Sequence, residues 1–144
     1  MANGVVYVGS LDGLYALNAS TGAKLWSYTT GADVDSSPAV ANGVVYFGSN
    51  DRNVYALDAS TGAKLWSYAT GLQVYSSPAV ASGVVYVGSE DNNVYALNAK
   101  TGAKLWSYAT GNQVLSSPAV ANGVVYVGSA DGKVYAFGRK KSTK

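Results

Sequence analysis

Short apolar runs alternate with breaks rich in glycine, asparagine and aspartate along the whole chain, and the pattern returns every forty residues. One copy shows the elements. Ser76 to Val80 is a short apolar stretch with Pro78 near its start, where a strand tolerates proline. Ala81-Ser82-Gly83 predicts a tight turn, and Val84 to Val87 is β-branched and aromatic, as strands prefer. Gly88 to Asn93 supplies turn chemistry, because Asp and Asn side chains bond their own backbone. Val94 to Leu97 predicts a third strand, Asn98 to Gly102 another turn, and Ala103 to Tyr108 a fourth strand. No stretch carries a helical period long enough to compete. The four strands of a copy are termed A to D.

Strands B and C are apolar at nearly every position. A sheet with one wet face would alternate, so both faces of this sheet are expected to be covered. Four-stranded antiparallel sheets stacked face to face around an axis meet that need. The expected fold is therefore all-β, a β-propeller built from four-stranded antiparallel blades. A β-solenoid is the competing reading, but solenoid coils are usually shorter than this repeat.

Three identical Lys-Leu-Trp-Ser-Tyr blocks begin at Lys24, Lys64 and Lys104, and four Gly-Val-Val-Tyr blocks begin at Gly4, Gly43, Gly83 and Gly123. Gly-Val-Val-Tyr-Val-Gly-Ser followed by Tyr-Ala-Leu-Asn/Asp-Ala-x-Thr-Gly-x-Lys-x-x-Trp resembles the repeat of the pyrroloquinoline-quinone (PQQ) type propellers, essentially over residues 4–137. That family holds the quinoprotein dehydrogenases and non-enzymatic relatives, among them an outer-membrane assembly scaffold and sensor domains of bacterial kinases. The resemblance implies that Trp26, Trp66 and Trp106 dock outer strands against the neighbouring blade. It also implies eight-bladed rings. Fold follows from it more strongly than function, since the same blades serve unlike purposes.

The chain starts at strand B and stops at strand C. Its order reads BCD, ABCD, ABCD, ABC, fourteen strands in all, over repeat units 1–40, 41–80, 81–120 and a partial 121–137. About four blade positions make a half-propeller whose end blades would expose flat apolar faces, and such faces do not stay solvated. Head-to-tail dimerisation to an eight-position ring is the expected remedy. Seven blades from two chains would match the strand total, but joining ABC to BCD duplicates B and C. A four-blade ring would force blades shaped for a wide ring into a tight one.

Units 41–80 and 81–120 differ at positions 42, 47, 50, 52, 58, 60, 72 and 75. Four of these eight lie in the B–C and D–A connections, which emerge on one face of an antiparallel blade. That face is the candidate binding surface for a protein or peptide, because loops on a rigid scaffold concentrate binding residues. Its residues are Asp33, Asp35, Asn50, Arg52, Asn53, Leu72, Gln73, Tyr75, Glu90, Asn92, Asn93, Asn112, Gln113, Leu115 and Lys133. Tyr75 is the one tyrosine of twelve outside a repeated position. Plain drift of loop residues is the competing reading.

Composition narrows the chemistry. Apolar residues make up 48% and charged residues 12%, which suits a buried core and excludes disorder. A net charge of +2 argues against nucleic acid and a membrane surface as partners. Four of the ten basic residues fall within 139–144, expected to be part of a disordered basic tail over 138–144. Met1-Ala2-Asn3-Gly4 enters the repeat at once, leaving no room there for a signal peptide. Without cysteine or histidine, thiolate chemistry and the commonest general base are missing. The cellular compartment is not legible.

Asp12, Asp51, Asp91 and Asp131 share one turn position and read as turn residues, not bases. Glu90-Asp91-Asn92-Asn93 offers calcium-type oxygens but lacks the spread of ligands such a site needs. Thr-Gly-Ala-Lys falls short of a phosphate loop. The PQQ enzymes that the chain resembles use calcium, a catalytic aspartate and commonly a vicinal disulfide, and no acid here matches those positions. No catalytic residue, metal or cofactor is therefore expected. The expected function is a non-catalytic propeller scaffold or binding module that self-associates. The alternatives are an engineered or recently amplified half-propeller without a ligand, and a fragment of a PQQ-dependent dehydrogenase.

Overall fold

The structure is a computed structural model and describes residues 2–138. Of the expected tail, residues 139–144 lie outside the described residues, while Gly138 closes the last strand, opposite Val124. Fourteen strands follow in chain order. They are β1 (Val5–Gly9), β2 (Gly13–Asn18), β3 (Lys24–Thr29), β4 (Ala39–Ala41), β5 (Val44–Gly48), β6 (Asn53–Asp58), β7 (Lys64–Ala69), β8 (Ala79–Ala81), β9 (Val84–Gly88), β10 (Asn93–Asn98), β11 (Lys104–Ala109), β12 (Ala119–Ala121), β13 (Val124–Gly128) and β14 (Val134–Gly138).

They form four antiparallel sheets. Blades 1 and 4 have three strands each (β1–β3 and β12–β14), and blades 2 and 3 have four (β4–β7 and β8–β11). The phase is the BCD, ABCD, ABCD, ABC order read from the repeats. The A strands are shorter than their apolar stretches suggest. In blade 3 the strand begins only at Ala79, because Pro78 has no N–H for a ladder. Ser76, just before it, is buried instead, its Oγ accepting the Gly88 N–H at 3.0 Å.

Local chemistry sets each connection. The A–B turns place two successive residues at positive φ, Asn42 (51°) and Gly43 (75°) in blade 2, and Ser82 (49°) and Gly83 (76°) in blade 3. That is the two-residue hairpin geometry that matches strand twist. In the C–D turn the Asp58 carboxylate accepts the N–H groups of Ser60 (2.8 Å) and Thr61 (3.1 Å), and Asn98 does the same for Lys100 and Thr101. Strand D carries a bulge opposite Ala16, Ala56 and Ala96 in turn.

Stacked faces make the core. Leu14, Val45, Phe47, Tyr55 and Leu57 fill the seam between blades 1 and 2. Tyr46, Val54, Trp66, Val85, Val87, Tyr95 and Leu97 fill the next, and Val94, Val114 and Val127 the third. Each such aliphatic or aromatic side chain contributes about 1.5–3 kcal/mol on burial. The short A strands lie innermost, with β8 beside β4 and β12. There the Ser37 N–H donates to Ser77 Oγ at 2.8 Å and the Ser77 N–H to Ser117 Oγ at 3.0 Å, tying successive blades near the axis.

Candidate functional site

Two regions carry the chemistry, the seams between blades and the rim above them. Each seam is closed on its outer side by an indole. Trp26 lies on Gly62, and Trp66 on Gly102, so that a β-carbon on either glycine would sit 2.6 Å from the ring. The indole N–H donates to the Ala59 carbonyl at 3.0 Å for Trp26 and to the Ala99 carbonyl at 2.9 Å for Trp66. The same carbonyls take the hydroxyls of Tyr7 (3.2 Å) and Tyr46 (3.1 Å), whose rings lie 5.9 Å from those indoles. Trp106 packs on Phe137 at 5.1 Å and is only half-buried. Beside it opens a cavity of about 840 Å³ lined by Ala81, Ser82, Tyr86, Trp106, Val125 and Phe137 among others.

The rim is built by B–C turns and D–A loops, which meet across the seams. Asp51 shows how. Its Oδ1 accepts the Asn53 N–H at 3.0 Å, and its Oδ2 takes both the Tyr55 hydroxyl and the Gly31 N–H of the preceding blade's loop, the latter at 3.0 Å. Asp91 repeats this with Asn93, Tyr95 and Gly71, and Asp131 with Lys133, Tyr135 and Gly111. These carboxylates are committed to neighbours and hold one blade's loop to the next blade's turn. Asp12 binds Ser10 and Tyr15 within its own blade. Glu90 and Asp91 therefore do not present a joint set of open oxygens, since both Asp91 oxygens already accept several N–H and O–H groups.

Charge follows these contacts. The Tyr135 hydroxyl, donating at 2.5 Å, holds the Asp131 carboxyl below the usual carboxylate range. Burial, reinforced by the Asp51 and Asp91 carboxylates, pushes the Tyr55 and Tyr95 hydroxyls well above the ordinary phenol range. A phenol raised on folding contributes stability that is fully present below its unfolded pKa of about 10 and is lost as pH rises through the folded value. The urea midpoint is therefore expected to fall as pH climbs above about 10. The Tyr55→Phe/Tyr95→Phe double variant should show a shallower fall, checked by urea titrations from neutral to alkaline pH. Equal falls would rule out these two hydroxyls as the cause.

The residues expected on the variable face divide by role. Arg52 and Asn92 hold the turn in the left-handed region (φ 79° and 77°), and their carbonyls accept the Thr70 and Thr110 side chains at 3.0 and 2.8 Å. Asn53 and Asn93 bond the neighbouring Asp51 and Asp91. Asn50 donates to Asp35 at 2.8 Å across the loop–turn junction, and its buried Oδ1 has no partner among the described residues. Asp35, Leu72, Asn112, Leu115 and Lys133 are exposed, while Asp33, Gln73, Tyr75, Glu90 and Gln113 are half-buried.

The loops are thus partly framework. The sequence reading passed over Thr70, Thr110, Ser49 and Ser89, buried residues that hold the loops in place. Their signal was present, since Thr-Gly and Gly-Ser recur in every full repeat. It also passed over Gly62 and Gly102 as indole seats.

A PQQ-repeat family model described as outer membrane protein assembly factor BamB matches residues 1–78 and again 71–144. Comparison with curated proteins finds no match. Among solved structures, BamB from Moraxella catarrhalis is 28% identical with a TM-score of 0.82, over 93% of this chain and 42% of that one. The computationally designed Ika4 protein is similar in fold, with a TM-score of 0.85 at 20% identity over 95% of this chain and 86% of that one. The quinohemoprotein alcohol dehydrogenase ADHIIG from Pseudomonas putida HK5 gives a TM-score of 0.80 at 24% identity, over 90% of this chain and 27% of that one. The chain thus spans less than half of the natural relatives' length.

Proposed function

Because the chain belongs to the PQQ-like repeat family described as outer membrane protein assembly factor BamB, we propose that it acts as a non-catalytic propeller module that associates head to tail and binds a protein or peptide on its variable rim. The observation that carries this reading is the state of the two end faces. Blade 1 turns outward the positions that blade 2 buries as Val45, Phe47, Tyr55 and Leu57, namely Val6, Val8, Tyr15 and Leu17. Blade 4 turns outward Val124, Tyr126, Val134 and Ala136, the counterparts of Val44, Tyr46, Val54 and Ala56. In every interior seam one of these sets packs on the other. The two ends of the chain are therefore the two halves of one repeated interface.

The exposure is real in magnitude. Val8 is 42% and Tyr126 44% exposed, whereas Phe47 and Tyr46 at the same positions are 0% and 3%. Two copies joined this way make an eight-position ring. Against catalysis stands the commitment of Asp51, Asp91 and Asp131 to neighbouring N–H and O–H groups, which gives these three carboxylates a structural task in place of a general-base one. The half-buried Tyr75 and the exposed Leu72 and Leu115 are the rim residues best suited to contact a partner.

Light scattering on the purified chain is expected to give twice the 14.8 kDa chain mass. Val8→Asp, which plants a charge in the seam, should return it to a single chain mass. A monomer at micromolar concentration for the unaltered protein would end the head-to-tail reading.

A further inference from the structure

Among the described residues, strand β14 is an open edge. In blades 2 and 3 the C strand is flanked by a D strand at fixed register: Val54 faces Tyr68, Tyr55 faces Ser67 and Ala56 faces Trp66, with Val94, Tyr95 and Ala96 repeating the pattern. β14 pairs β13 on one side and no described strand on the other. Val134, on the outward face of blade 4, is 78% exposed, although Leu14, Val54 and Val94 at the same position, each covered by a D strand and by the next blade, are all 0%. Tyr7, Tyr46 and Tyr86 each have an indole within 5.9–6.1 Å, and Tyr126 has none among the described residues.

A matching vacancy lies at the other end of the chain. Gly22 has the same turn conformation (φ 74°) as Gly62 and Gly102, which carry Trp26 and Trp66. Nothing lies within 4 Å of where its β-carbon would be. The Ala19 carbonyl, counterpart of the indole acceptors Ala59 and Ala99, receives no bond from the described residues. Among the described residues, one end has no indole-bearing strand beside β14, and the other holds an indole seat with nothing on it.

We propose that β14 is a docking site for an extended peptide added in trans as a fourth strand, with a tryptophan two residues before a tyrosine. The chain itself names the occupant, because the same surface is covered by Lys-Leu-Trp-Ser-Tyr in all three earlier blades. Backbone pairing along the edge supplies affinity, and the two aromatic side chains on one face supply selectivity. Trp and Tyr cover Tyr126, Val134 and Ala136, while the residues that alternate with them face solvent, as Leu65 and Ser67 do. Where two copies meet head to tail, the added indole also reaches Gly22 and Ala19 of the second copy. That last contact rests on the head-to-tail reading, and strand addition to β14 does not.

The probe is a dye-labelled peptide, Thr-Gly-Ala-Lys-Leu-Trp-Ser-Tyr-Ala-Thr, with the sequence of residues 61–70, titrated with the full chain by fluorescence anisotropy. Saturable binding of one peptide per chain is expected. The Trp→Ala peptide should bind about tenfold more weakly or worse. Val134→Asp in the protein should weaken binding as much, and its exposed position keeps the fold intact. The Val8→Asp chain should retain saturable binding. A chain that is monomeric yet binds the peptide keeps strand addition and removes the ring. No saturable binding, or equal affinity for the Trp→Ala peptide or the Val134→Asp chain, overturns the proposal.

Discussion

Trp66→Ala is expected to lower the stability of the chain by about 3–5 kcal/mol, the range for removing a large buried aromatic. The indole is 8% exposed, lies 5.9 Å from Tyr46, covers Gly102 and donates to the Ala99 carbonyl. Its loss leaves a cavity across the central seam and removes one of the two bonds to the Ala99 carbonyl, which keeps the Tyr46 hydroxyl. Trp106→Ala is the internal control. It occupies the same repeat position, but its ring is half-buried and packs chiefly on Tyr86 and Phe137, so the loss should be clearly smaller. Urea midpoints of the two variants check this, and equal losses would show that the central seam is no tighter than the last one. The cooperativity of the transition must be read beside the midpoint, because stacked repeats need not unfold together.

Gly102→Ala is the second large effect, and it separates backbone from packing. The residue adopts φ 76°, which costs a β-carbon about 1–2 kcal/mol. The added carbon would also lie 2.6 Å from the Trp66 ring, which is pinned and cannot retreat without opening the seam. Overpacking of that kind adds about 1–3 kcal/mol. Gly22→Ala meets the same backbone strain with nothing within 4 Å, so only the first cost applies. A larger midpoint loss for Gly102→Ala than for Gly22→Ala is the expected result. The Trp66→Ala/Gly102→Ala double variant should lose less than the sum of the singles, since removing the ring removes the clash. Additive losses would mean that the two residues do not meet as described.

Much of the fold was legible in the chain because its signals agree at every level. β-branched runs, Asn-Gly and Ser-Gly turns and a forty-residue period all specify hairpin-linked strands, and Val54, Ala56 and Leu57 announce a strand covered on both faces by having no polar face. The limits of the A strands were less visible, since Pro78 looks like part of the apolar run until hydrogen bonding is counted. The rim was legible as a location and not as a mechanism. Its variable positions could be found by comparing repeats, but variation does not distinguish a side chain that projects from one that is tied down. Arg52 illustrates the gap, for its side chain is exposed while its backbone holds Thr70.

The sequence by itself thus determined strand content, blade phase and the repeated Trp, Asp and Gly positions, because those depend on local propensity and on a period that needs no partner. The tertiary structure decided how each repeat is used. Identical residues become different once stacked. Gly22 and Gly102 share one turn, yet only Gly102 carries an indole, and Val94 and Val134 share one register, yet only Val94 is covered. Burial depends on what lies across the seam, a long-range property that no single repeat encodes, and it is this difference that sets the end faces and the edge of β14 apart from the interior.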